Sequence, residues 1–100
     1  MGALSKPDTG LGYGQTWQNV ISYRALGVTY YNTTGKPILV FASGAGPGNG
    51  NLNAFVDGVN AATAYAVSSG NLGATFVVPV GSAYSVTLAG AVLGFWCELR

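Results

Sequence analysis

The sequence contains no histidine, and only seven of its 100 residues are charged: four Lys or Arg and three Asp or Glu. Without histidine, the commonest general base and metal ligand is missing. The carboxylates are Asp8, in a polar N-terminal stretch, Asp57, followed by Gly58, and Glu98, the third-last residue. Glycoside hydrolysis needs two carboxylates flanking one bond. Each of these three reads instead as a turn former or a solvated charge, although a pair supplied from two subunits stays open. The expectation is a protein that is not an enzyme and has no cofactor and no metal site. The basic residues Lys6, Arg24, Lys36 and Arg100 are scattered. Nucleic-acid binding needs clustered Lys and Arg to neutralise phosphates, so it is not expected. No apolar run is long enough for a transmembrane helix, so no membrane insertion is expected. Residues 1–10 lack the apolar stretch of a signal peptide and read as a boundary or linker. The single cysteine, Cys97, can make no disulfide within the chain; beside Trp96 and Leu99 it reads as a buried thiol acting as a small hydrophobe.

What is abundant is glycine, 16 residues against the ~7 % of an average chain, together with apolar and β-branched residues. Short β-rich runs alternate with Gly, Asn, Pro and Ser, the pattern of an all-β domain. Residues 28–32 and 38–43 read as two strands of a hairpin turning at Gly35. Residues 44–51 (GAGPGNGN) read as a loop. Residues 52–56 place Leu52, Ala54 and Val56 on one face, and Asp57-Gly58 is a hairpin signal returning near Val59. Segment 60–68 is rich in alanine, but Tyr65 and Val67 alternate as in a strand. Residues 69–73 read as a turn and 74–80 as a strand ended by Pro79. Gly81-Ser82 turns the chain again, 83–89 put Tyr84, Val86 and Leu88 on one face, and Gly90 breaks that run. In 92–99, Leu93, Phe95, Cys97 and Leu99 face one way and Trp96 and Glu98 the other.

These runs predict an antiparallel β-sandwich, jelly-roll-like, with six to seven short strands over residues 11–100 and an irregular N-terminal arm over 10–27. Connections this short exclude parallel crossovers. So apolar and so weakly charged a chain has little to keep its copies apart, which favours an oligomer over a monomer.

Several small motifs invite chemistry. Ser43-Gly44 and Ser69-Gly70 lack a partner base and read as turn serines. The glycine-rich loop lacks the Lys-Ser/Thr and the helix of a phosphate loop. Asn32-Thr33-Thr34 matches the N-glycosylation sequon. Trp96, Tyr84, Phe76 and Phe95 read as core or interface residues. Tyr13, Trp17, Tyr23 and Arg24, in the irregular segment, are candidates for a subunit interface or for stacking on a ligand. Asn49, Asn51, Asp57 and Asn60 are candidates for ligand binding, because amide and carboxylate groups suit sugar hydroxyls and loops tolerate change where strands hold the fold.

The segment GYGQTWQNVISYRALGVTYYNTTGKPILVFAS resembles a module at the C-termini of bacteriophage and prophage tail fibres and tailspikes. The matching residues are 12–18, 24–27 and 29–38, and the ending WCELR, 96–100, is similar to the W-x-E-L-R endings of such chains. The resemblance covers the first third and the last residues and leaves 44–82 unmatched. It implies a homotrimer at the distal end of a fibre of the virion, acting at the host cell surface. It also implies that the matched part is scaffold and the unmatched middle carries receptor specificity. Two functions follow as expectations. One is a receptor-binding tip recognising a bacterial surface glycan such as lipopolysaccharide. The other is a structural trimerisation or folding cap of a tailspike whose binding or depolymerase activity lies in another domain.

Overall fold

The computed structural model describes residues 10–67 and 70–100. Asp8, most of the 1–10 boundary, and Ser68 and Ser69 of the expected strand end and turn lie outside these residues. The chain forms an antiparallel β-sandwich of two four-stranded sheets. Its strands are β1 (Trp17–Asn19), β2 (Tyr30–Tyr31), β3 (Ile38–Ala45), β4 (Gly50–Val56), β5 (Val59–Ala66), β6 (Asn71–Val78), β7 (Ala83–Ala89) and β8 (Val92–Leu99). Sheet A has the order β1-β8-β3-β6 and sheet B the order β2-β7-β4-β5. β1 pairs β8, β2 pairs β7, β3 pairs β6 and β4 pairs β5, so the first half of the chain is laid antiparallel along the second. That ribbon wraps until β8 meets β3 and β7 meets β4. The result is the jelly roll, with eight strands rather than six or seven because the three-residue β1 is too short to stand out in the sequence.

Alternation supplies the core. Ile38, Val40 and Ala42 of β3 face Leu52 and Ala54 of β4, with Leu72, Phe76, Val78, Tyr84, Val86 and Trp96 filling the space between the sheets. Each large side chain so buried contributes roughly 1.5–3 kcal/mol. Pro79 follows the last residue of β6, where no further ladder N–H is required.

Four local expectations are corrected. Residues 28–32 and 38–43 do not form a hairpin: β2 lies in sheet B and β3 in sheet A, and the turn containing Gly35 carries the chain across the sandwich. The glycine-rich loop shrinks to residues 46–49, because Gly44 and Ala45 extend β3 while Gly50 and Asn51 open β4. Here glycine serves close approach: a Cβ on Gly44 would stand 2.5 Å from the Val92 carbonyl oxygen and 2.8 Å from Leu88 Cδ2. The turn read over 69–73 is shorter, since β6 begins at Asn71. In β8 the face read as Leu93, Phe95, Cys97 and Leu99 is split. The pairing to β3 shifts from Ser43↔Phe95 to Gly44↔Leu93, leaving Gly94 as the extra residue of a β-bulge. Leu93 packs on the core, while Phe95, Cys97 and Leu99 lie on the outer face opposite to Trp96 and Glu98.

The segment 10–27 is fastened down rather than left as an arm. Its Val20 N–H donates to the Trp96 carbonyl (2.9 Å) and its Gly27 N–H to the Val86 carbonyl (2.9 Å). Between them a single 3-10 turn, Ile21–Tyr23, sets Ile21 against the core. Asp57-Gly58 does make the expected hairpin between β4 and β5, with φ of 51° and 80°, both in the left-handed region that a tight two-residue turn requires.

Candidate functional site

Following the chain fixes which residues share an end of the sandwich. The turns 46–49 and 90–91 and the connection after Ala66 lie at one end. Asp57-Gly58, the 79–82 turn and the Gly35 turn lie at the other. That second end also holds the start of β1 and the end of β8, tied by the Arg100 N–H donating to the Thr16 carbonyl at 3.1 Å. We call these the distal and proximal ends.

Two buried polar knots hold the proximal half. Glu98 is 0 % exposed and accepts from Arg24 Nε and Nη2 (3.0 Å each), Tyr84 Oη (2.8 Å), Trp96 Nε1 (3.1 Å) and Arg100 Nη1. Burial acts to raise the Glu98 pKa, but the hydrogen bonds from Arg24, Tyr84 and Arg100 outweigh it and hold the carboxyl below its ordinary value. Burial and the neighbouring Glu98 carboxylate push the Tyr84 phenol up to about 12. Burial also disfavours the Arg24 charge, yet Glu98 overcomes that and keeps the guanidinium firmly protonated. The expected solvated charge at Glu98 is thus corrected: Arg24, 74 residues away along the chain, neutralises it. The second knot is Asn32, 1 % exposed. Its Nδ2 donates to the carbonyls of Lys36 (2.7 Å), Val78 (3.0 Å) and Pro79 (3.2 Å), and its Oδ1 accepts from the Thr34 N–H and hydroxyl. The sequon asparagine is therefore the anchor of the crossing between the sheets, with its nitrogen engaged inside the protein.

The candidate residues separate on this frame. Arg24 is committed to Glu98 and stacks 4.8 Å above the Tyr30 ring, its side chain 13 % exposed. Tyr13 and Tyr23 are exposed near the proximal half, and the Tyr13 carbonyl accepts from Lys36 Nζ at 2.9 Å. Trp17 stands on the outer face of sheet A with Phe41, Thr75 and Cys97 around it. Cys97 is half-buried on that face, not enclosed in the core, and Phe95 beside it is 61 % exposed. Asp57 sits at the proximal end, where Oδ1 accepts from the Ala83 N–H at 2.9 Å. Hydrogen bonds from Ser82 and Ala83 lower its pKa. Asn60 lies on the outer face of sheet B, its amide 3.2 Å from Asn53 Oδ1. Asn49 and Asn51 are distal, roughly 20 Å from Asp57 at the 3.3 Å rise per residue of a strand. The four ligand candidates therefore form no single site, and only Asn49 and Asn51 come together.

Around those two the distal corner is hollowed. A depression of about 360 Å³ is lined by Asn49, Asn51, Tyr65, Val67, Ala89 and Gly90. Asn51 is registered between Tyr65 of β5 and Ala89 of β7. The Tyr65 ring, 76 % exposed, forms a flat apolar wall beside an amide that both donates and accepts. None of the lining side chains is charged. Such a groove suits a neutral, hydroxyl-rich ligand with one apolar face. Sequence reasoning named the two asparagines and missed Tyr65, although its alternation with Val67 already placed it on a strand surface.

The larger hollow, about 740 Å³, lies on the outer face of sheet A between Phe41, Ser43, Gly73, Val92 and Phe95, with Ser43 and Asn71 as its polar side chains. Among the described residues no three His, Cys, Asp or Glu side chains cluster as a metal site, and no helix is long and apolar enough to cross a membrane. The chain matches no family model, no curated protein and no solved structure at a significant level.

Proposed function

We propose that this chain is a non-catalytic, homotrimeric binding module of the kind found at the C-termini of phage tail fibres and tailspikes. In this reading it sits at the distal end of a virion fibre and recognises a bacterial surface glycan, such as the sugar units of lipopolysaccharide, through the groove of Asn49, Asn51 and Tyr65. The observation that carries the reading is the position of that groove. It lies at the end of the sandwich opposite to Thr16 and Arg100. A module joined to a shaft ahead of residue 16 would present it outward. The groove's chemistry agrees: an exposed tyrosine ring beside an amide, with no charge to demand an ionic ligand. The jelly roll itself argues for no particular function, because one fold hosts many.

A second reading, the trimerisation or folding cap, rests on a different observation. The polar residues of the tail-fibre-like segments bond to one another: Gln15 to the Pro37 carbonyl, Lys36 to Tyr13, Asn32 to Thr34 and Arg24 to Glu98. These four polar side chains serve the scaffold and are not free for a receptor. Binding of the purified chain to host-cell polysaccharide, measured by calorimetry on wild type and Tyr65→Ala, separates the two. Saturable binding by wild type, weakened in the variant, supports the tip. A trimer that binds neither polysaccharide nor whole cells is the cap.

A further inference from the structure

We propose that the ligand site extends beyond the distal groove: a run of uncharged sugars lies lengthwise on the outer face of sheet B, from Tyr65 to a second subsite formed by Thr29, Phe55, Ser85 and Thr87. The inference rests on the glycan-binding reading above. It gives that ligand a length, a direction and a charge, which neither the groove nor the resemblance supplies.

The second subsite is a depression of about 290 Å³ towards the proximal end of the face that carries the distal groove. Ser85 and Thr87 alternate with buried Tyr84 and Val86 along β7 and so point outward, as Phe55 does on β4 opposite to Ser85. The Gly27 N–H, bonded to the Val86 carbonyl, brings Thr29 alongside β7 as a rim. Among the described residues the side chains of Thr29, Asn51, Ser85 and Thr87 make no hydrogen bond, and no buried polar side-chain atom lacks a partner, so these groups face solvent. Between the two hollows the pattern reverses, because Asn53 and Thr63 bond to each other. Unspent donors and acceptors are thus gathered at the two hollows, each beside an aromatic ring: Tyr65 at one, Phe55 at the other.

Spacing and chemistry fix the occupant. Asn51 and Phe55 both face outward on β4, and the strand rise of about 3.3 Å per residue sets them roughly 13 Å apart. One sugar ring cannot touch both; an extended short oligosaccharide can. Level with Asn53, halfway along, stand only Thr63 and Thr87, so the path between the hollows carries no charge and no large side chain. An acidic glycan would call for Lys or Arg on its carboxylates, and neither hollow has one. A protein partner fits less well, because the buried centre of such interfaces is depleted in Ser and Ala. Asn51, Phe55, Tyr65, Ser85 and Thr87 all stand on paired strands, which hold them in place before a ligand arrives.

The test applies the intact chain to linear gluco-, galacto-, manno- and rhamno-oligosaccharides graded in length from a single sugar, to the matching galacturonate series, and to length-fractionated polysaccharide of the host cell. Calorimetry on the uncharged series bound best then compares wild type with Thr87→Lys and Thr29→Lys. These variants lie on separate elements, so one that fails to fold leaves the other to decide, and near-ultraviolet dichroism reports the fold. Wild-type affinity should rise with length until both hollows are spanned and then level off. Both variants should weaken the long members about tenfold and leave the short ones, which fill the distal groove alone, unchanged. A flat length profile, or the same profile in wild type and folded variants, overturns the extended site and spares the distal groove. Binding confined to the galacturonate series overturns the uncharged ligand. Binding to none of these probes overturns the extended site together with the glycan reading beneath it.

Discussion

Outward from sheet A stand Trp17, Leu39, Phe41, Phe95, Leu99 and Val77 beside Asn19, Ser43, Asn71 and Thr75; outward from sheet B stand Asn51, Asn53, Asn60, Thr63, Ser85 and Thr87 beside Tyr31, Phe55 and Tyr65. The same period-two alternation produces both faces, yet sheet B carries the larger share of amides and hydroxyls. It does so almost without charge. Thr63 Oγ1 donates to Asn53 Oδ1 at 2.9 Å and Asn60 joins the pair, so cross-strand amides and hydroxyls form a polar lattice. The low charge count of the chain is therefore not spread evenly. Of the charges among the described residues, Arg24 and Arg100 both pair with Glu98 in or beside the core. One uncharged face is mainly polar and the other mainly apolar, and the difference teaches that a low charge total alone predicts neither solubility nor association.

Both faces depend on the knot beneath them, so the largest effect should come from Glu98. Glu98→Ala leaves Arg24, Arg100 and Tyr84 without their shared acceptor, and breaking a buried ion pair costs about 3–5 kcal/mol. Urea denaturation should show a loss of that size and failure of both faces together; a loss below about 1 kcal/mol would mean that the arginines find water instead. The same carboxylate sets a pH limit. Its folded pKa is depressed, as is that of Asp57, so the stability each lends is complete above the unfolded carboxylate range of about 4 and is lost as pH falls through the lower folded values. The melting temperature should hold from pH 7 to 5 and drop towards pH 3; a flat profile to pH 3 would contradict the pairing.

Smaller effects sharpen the contrast on sheet B. Tyr65→Ala removes an exposed ring and should leave stability within about 0.5 kcal/mol while weakening glycan binding about tenfold, or ~1.4 kcal/mol. Thermal melts and calorimetry on one sample check both halves. Unaltered binding with the fold intact would move the site away from the distal groove. The smallest change expected is Thr63→Ala, which removes an exposed hydroxyl shared between Asn53 and Asn60 and should cost at most about 0.5 kcal/mol; a larger shift in denaturation midpoint would mark the polar lattice as structural.

Most strands were legible in the sequence because alternation and turn residues are local signals: β7 spans 83–89 and β8 spans 92–99 as read, and Asp57-Gly58 makes its hairpin. What was not legible depends on partners far along the chain. Nothing near Glu98 announces Arg24, so a buried acid read as a solvated one. Alternation alone cannot say which side of β8 faces inward, and the bulge at Gly94 moves Leu93 to the other side within the same run. The Gly35 turn is as compatible with a hairpin as with a crossing between sheets, and Asn32 decides for the crossing through carbonyls 46 and 47 residues away. The groove was half legible. Asn49 and Asn51 are neighbours in sequence, but Tyr65 reaches them only through the β4–β5 register.

The tie between Thr16 and Arg100 has a mechanical consequence. The chain arrives at one end of the sandwich, and the distal groove lies at the other, with full-length strands running between them. A ligand held in the groove and pulled away from an attachment at residue 16 would load the sheets along their strands. The inter-strand bonds of β3, β8, β4 and β7 would then be sheared side by side, each carrying a share, instead of being unzipped one rung at a time. The strength of such a grip under tension is a matter of unfolding rate and not of equilibrium stability. The same eight-stranded wrap that looks marginal by its charge would resist most along the one direction in which a tethered binder is stretched.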